Sequence, residues 1–131
     1  MRLKDWQQRF AEFGKARASM PFSWGSNDCC TFAAAAVEAL TGENPMANAP
    51  AYDSEFGALR LIAAAGGLRG LVSSFLGDEI PVRMAAVGDV VLVLNEGVEL
   101  VGVCNGVNVV APGPDGAVAL PMTAAVAAWR T

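Results

Sequence analysis

Gly88-Asp89-Val90-Val91-Leu92-Val93-Leu94-Asn95-Glu96-Gly97-Val98-Glu99-Leu100-Val101-Gly102-Val103-Cys104-Asn105-Gly106 is the stretch at which the chain changes period. Before it, apolar residues recur at helical spacing. From Asp89 on, short runs rich in β-branched residues are separated by turn chemistry, which is a strand signature. Asp89–Leu94 reads as a buried strand led by Gly88, and Asn95-Glu96-Gly97 turns it into a second strand, Val98–Cys104. Asn105-Gly106 is the strongest two-residue hairpin signal in the chain and leads into Val107–Ala111. A two-residue loop there pairs Cys104 with Val107 and, counting outward, sets Leu100 opposite Ala111. Pro112-Gly113-Pro114-Asp115-Gly116 turns the chain again into Ala117–Leu120. Ile80–Met84 is expected to be extended, and the residues after Pro121 to form a short helical or irregular tail closing on Trp129.

Upstream the pattern is helical. Residues 3–18 read as an amphipathic helix with Leu3, Trp6, Phe10 and Phe13 on one face. Met20–Ser26 is a loop with helix-breaking punctuation. Asn27 or Asp28 then caps a helix from Cys29 to Leu40, which Thr41-Gly42 stops. Glu43–Tyr52 is irregular and carries two prolines. Asp53 or Ser54 caps a helix running to Ala65 and ended by Gly66-Gly67, and a short helix from Leu68 to Leu76 stops at Gly77. Helices first and an antiparallel meander second is an α+β layout. No repeat, linker or low-complexity tract divides residues 1–131 into more than one domain.

Composition narrows the functional classes. A chain of 131 residues with 53% hydrophobic and 17% charged residues buries a core without staples and is not disordered. Its net charge of −4 argues against nucleic acid, which demands a concentrated basic patch. The apolar runs are interrupted well before the ~20 residues of a membrane span, so no membrane insertion is expected. Met1–Asp5 has no apolar segment behind it, so no signal peptide is expected. Three cysteines, two of them adjacent, do not make a disulfide framework and suit synthesis in a reducing cytosol.

The chain contains no histidine, yet Asp28-Cys29-Cys30 stands where a loop turns into a helix. A cysteine there is a usual seat for a nucleophile, which an imidazole normally deprotonates. The order Trp24-Gly25, Asp28-Cys29 opening a helix, Gly88-Asp89 opening a strand, then Leu100-Val101-Gly102-Val103 is similar to that of the NlpC-type papain-like cysteine peptidases. These cleave bacterial cell-wall peptides, and the chain resembles most the short versions encoded in the tail modules of long-tailed bacteriophages. The resemblance runs over residues 20–121. It implies a papain-like fold with Cys29 in the nucleophile position and Leu100 where the family has its histidine. It sets Ala111, or failing that Val110, in the place of the third polar residue. It also implies the tail hub and neighbouring tail-tip proteins as partners, the virion tail tip as location, and contact with peptidoglycan.

The chemistry left to Cys29 is limited. A helix N-terminus contributes ~0.3–1 kcal/mol to thiolate formation, and the Asp28 charge opposes it. Amide cleavage also needs a proton for the departing amine, a step worth ~10²–10⁴-fold, and neither Leu100 nor Ala111 can supply it. A non-catalytic NlpC-like component of a phage tail tip is the reading that follows. The alternative is an active cysteine peptidase or amidase whose base is Asp28, Asp89 or a neighbour's residue. No cofactor and no metal site is expected, although Cys104 alternates onto the Leu100 face and invites a three-sulfur cluster with Cys29 and Cys30. Zinc and iron–sulfur centres want four ligands, and no histidine completes that set. Of the tryptophans, Trp24 is expected in the core and Trp129 at a partner surface.

Overall fold

Caps and stops already present in the sequence cut the helical half into segments. A computed structural model describes residues 1–131. Helix α1 spans Trp6–Arg17, α2 Cys29–Thr41, α3 Glu55–Ala64 and α4 Leu68–Leu76. Helix α2 begins in a capping box: the Asp28 side chain accepts from the Thr31 N–H, and the Thr31 hydroxyl accepts from the Asp28 N–H. Such reciprocal caps satisfy two donors that a helix start otherwise leaves unpaired. It ends at Gly42, whose φ of 87° is the left-handed conformation glycine adopts without strain. Ser54 caps α3 by accepting from the Gly57 N–H. Helix α1 starts later than the apolar spacing predicts, and the residues before it are tied to the end of α2 by the Leu3 N–H, which donates to the Leu40 carbonyl at 2.8 Å.

The strands are β1 Val90–Asn95, β2 Val98–Cys104, β3 Asn108–Gly113, β4 Gly116–Pro121 and β5 Ala125–Trp129. They form one antiparallel sheet in the order β4-β3-β2-β1-β5. The α+β layout, helices before strands, is therefore as the sequence predicts. Three local expectations are corrected. Ile80–Met84 is not a strand: Pro81 has no N–H to give a ladder, Val82–Met84 makes a 3₁₀ turn, and Ile80 alone bridges Ala128. The tail after Pro121 is a 3₁₀ turn followed by β5, which pairs with β1 as Val90↔Trp129 and Leu92↔Ala127. Its alanines carry no strand signal of their own, and pairing against β1 decides the matter.

The third correction concerns register. The β2–β3 turn is centred on Gly106-Val107, one residue later than predicted. The Asn105 N–H donates to the Asn108 carbonyl, and the Asn105 side-chain oxygen accepts from the Val107 and Asn108 N–H groups. Cys104 therefore pairs with Val109 and Val103 with Val110, so Leu100 does not stand opposite Ala111. The asparagine acts as the turn's side-chain acceptor and not as its first central residue.

Alternation along the strands sends one set of side chains to the helices and the other to the far side. On the helix side, Phe32, Ala33, Ala36 and Val37 of α2 pack on Val90, Leu92, Val101, Val103, Ala127 and Trp129. On the far side, Val91, Val93, Cys104, Val109 and Ala128 form a second cluster joined by Leu100. Trp129 is 0% exposed and its indole N–H donates to the Ser73 hydroxyl at 3.1 Å. Trp24 is 37% exposed and lies edge-on to Phe22. The expected placements of these two tryptophans are thus reversed, because β5 carries Trp129 into the sheet. Trp6 lies under the Arg2 guanidinium at 4.2 Å. No single helix is long and apolar enough to cross a membrane.

Buried Asp89 ties both ends of the sequence to the start of β1. Its carboxylate accepts from the Ala86 N–H at 2.9 Å, the Thr131 N–H at 3.1 Å and the Arg2 guanidinium at 3.2 Å. Removing a buried acceptor leaves its donors unpaired. Asp89→Ala is expected to lower unfolding free energy by about 2–4 kcal/mol in urea. Arg69→Ala, which breaks the exposed ion pair with Glu79, is expected to change it immeasurably.

Candidate functional site

The site is built around the start of α2. Asp28 is buried, and both carboxylate oxygens are occupied. One accepts from the Thr31 N–H at 2.9 Å; the other accepts from the Gly25 N–H and the Tyr52 hydroxyl, each at 2.8 Å. Tyr52 is the chain's single tyrosine, and its place in the irregular segment gave it no motif. Its partnership with Asp28 was beyond sequence reasoning, and its solitary occurrence is the only signal that pointed to it. Gly25 is required where it stands: its φ is 85°, and a Cβ there would lie 2.0 Å from the Tyr52 carbonyl oxygen.

Cys29 is the first residue of α2 and packs against the helix-side core. Leu100 and Ala111, the residues set in the places of the family's polar partners, do not meet it. Leu100 joins the far-side cluster, and Ala111 is buried on the same strand face as Val109, also far-side. Val110 is on the helix side but pairs with Val103 and packs near Phe10, Phe13 and Phe32. What adjoins the Cys29 sulfur is the Cys30 thiol and the backbone of Val101. Cys104 faces the far side, where its sulfur accepts from the Gly106 N–H at 3.4 Å. The three sulfurs are therefore divided by the sheet. No group of three or more His, Cys, Asp and Glu side chains is arranged to hold a metal ion.

The electrostatics separate the two adjacent thiols. Cys29 is held below its ordinary value, chiefly by the Cys30 thiol beside it, with the Val101 backbone helping and burial and the Asp28 charge opposing. Cys30 is pushed far up, by its role as donor to Cys29 and by burial. Neither carboxylate named as an alternative base hydrogen-bonds to Cys29. Asp28 is committed to its cap, its loop and Tyr52. Asp89 is committed to the chain ends.

A peptide substrate also needs room, and small-molecule sites usually offer ~300–1,000 Å³. The cleft beside Cys30, lined by Pro45, Met46, Leu71 and Val101, is about 30 Å³, space for little more than one water. A larger cavity of about 410 Å³ lies between α2 and the segment carrying Tyr52, but Thr31, Ala34, Ala35 and Glu38 line its α2 wall and Cys29 does not.

The model of a domain of unknown function, DUF6950, matches residues 1–131, the whole chain. The chain belongs to the DUF6950 family. No curated protein and no solved structure matches it. In this DUF6950 member the helix start thus combines a capped and loop-bound Asp28, a recessed thiol pair, and aliphatic and backbone groups around the leading sulfur.

Stability should report the pair directly. Cys30 and Tyr52 are both held protonated in the fold, above ordinary values of 9.0 and 10.0. For Tyr52 the causes are burial and then its bond to Asp28. The unfolded chain releases these protons at the ordinary values, so above them it binds fewer protons than the folded chain. The stability the two groups contribute is present below about pH 9 and is lost as pH rises. Cys29, which is depressed, acts only below its ordinary value of 9.0 and adds no slope above it. Urea titrations above about pH 9 are expected to show a loss approaching 1.4 kcal/mol per pH unit from Cys30, with a smaller share from half-exposed Tyr52. Cys30→Ser should remove most of that slope; an unchanged slope contradicts the assignment.

Proposed function

We propose that this DUF6950 domain is a non-catalytic relative of the NlpC-type papain-like peptidases, with their fold, and that it serves as an assembly component of a phage tail tip. The observation that carries the first half is the leading sulfur of α2, partly buried against the core with no imidazole in the chain and no cleft of substrate size at the adjoining Cys30. The order of Trp24-Gly25, Asp28-Cys29, Gly88-Asp89 and the Val-Gly-Val strand supports the kinship.

The assembly half is supported by what the surface exposes. Helix α3 buries only Ala58 and turns Phe56 and Leu59 outward, 72% and 55% exposed. Large apolar side chains side by side on one helix face are typical of surfaces that a partner covers. By the same resemblance, the partners are the tail hub and neighbouring tail-tip proteins, and peptidoglycan is the surface the assembly meets.

Two measurements test this reading. Wild type and Cys29→Ser, incubated with cell-wall peptide fragments, are expected to release no new amine. Cys29-dependent turnover establishes the peptidase reading instead. Mass spectrometry of virions purified from the encoding phage is expected to find the chain, and to lose it when Phe56 and Leu59 are both changed to Ser. Virions that never contain the chain refute the tail-tip role.

A further inference from the structure

The segment between Asn44 and Asp53 crosses the start of α2, yet it is scarcely attached to it. None of its residues is buried. Its backbone hydrogen bonds are internal, Ala47 N–H to Asn44 and Ala49 N–H to Met46, and the Met46 N–H donates to the Asn44 side chain. One hydrogen bond joins it to the rest of the molecule: Tyr52 hydroxyl to Asp28, 2.8 Å. Open clefts also flank it: one of about 410 Å³ beside α2, a shallow one of about 460 Å³ toward the α3–α4 corner at Leu61 and Phe75, and one of about 330 Å³ at Tyr52 beside Arg60. Its Pro45 and Met46 close the cleft at Cys30.

We propose that residues 44–53 are a strap that opens as a unit and gates solvent access to the Cys30 thiol, with the Tyr52–Asp28 hydrogen bond as its latch. A segment without buried side chains or outward backbone bonds opens at far lower cost than the whole fold. Opening joins the cleft at Cys30 to the space on the other side of the strap, so that thiol meets solvent while α2 and the sheet stay intact. The Tyr52 carbonyl also lies so close to Gly25 that a Cβ added there would stand 2.0 Å from its oxygen, which gives a second way to displace the strap. The inference concerns the Cys30 thiol alone and stands whether or not the domain is a virion component.

Iodoacetamide alkylation tests it: the sulfur displaces iodide to form an S–C bond and the thiol proton goes to solvent. Rates are read for Cys30 in a Cys29→Ser background and for Cys104, which is buried on the far face of the sheet and serves as the reporter of global unfolding. In the unlatched variant Tyr52→Phe, Cys30 is expected to react at least roughly tenfold faster, the loss of one charge-assisted bond, while Cys104 keeps its rate. Gly25→Ala, whose added Cβ pushes the Tyr52 carbonyl away, is expected to do the same. With Tyr52 and Gly25 left unchanged, the Cys30 rate should depend only weakly on urea and the Cys104 rate steeply, because little surface is exposed by local opening. Equal urea slopes for the two thiols there, or Cys30 rates unmoved by both substitutions, overturn the proposal.

Discussion

The structure turns on the buried Asp28 carboxylate. Three donors converge on it: the Thr31 N–H that starts α2, the Gly25 N–H of the preceding loop, and the Tyr52 hydroxyl of the crossing segment. A carboxylate at a helix N-terminus is favoured by the helix dipole and by the unpaired N–H groups there. Here the same charge also fixes a loop and a distant segment, so one side chain sets where α2 begins and which way its first sulfur points. Cys29 then faces the core formed by Phe32, Val101 and Val103.

That arrangement separates two properties that thiol enzymes combine. The sulfur of Cys29 is electronically eased toward the thiolate by Cys30 and the Val101 backbone. It is partly buried against the helix-side core. A reacting carbonyl needs approach to the sulfur and a proton donor on its far side, and the groups in those directions are aliphatic side chains and strand backbone.

Much of this was legible in the residues. The helix limits followed from Asp28, Ser54, Gly42 and Gly77, where a cap or a left-handed stop is local chemistry. Where a decision was tertiary, the sequence was silent. Ala125–Trp129 became a strand because β1 needed a partner, and with it Trp129 went inward while Trp24 stayed half-open. Asn105 accepted hydrogen bonds from the turn instead of occupying its centre, and that one-residue shift changed which residues face each other across β2 and β3. At the site, Cys29 was found from its position. The groups around it were not, since Tyr52, Met46 and Pro45 come from a segment with no periodicity to read.

The central claim is that Asp28 and Tyr52 act as one structural unit. The direct measurement is a double-mutant cycle in urea with Asp28→Asn, Tyr52→Phe and the combination. A coupling energy of about 1–3 kcal/mol is expected for a charge-assisted hydrogen bond in contact. Additive effects, with no coupling, contradict the account.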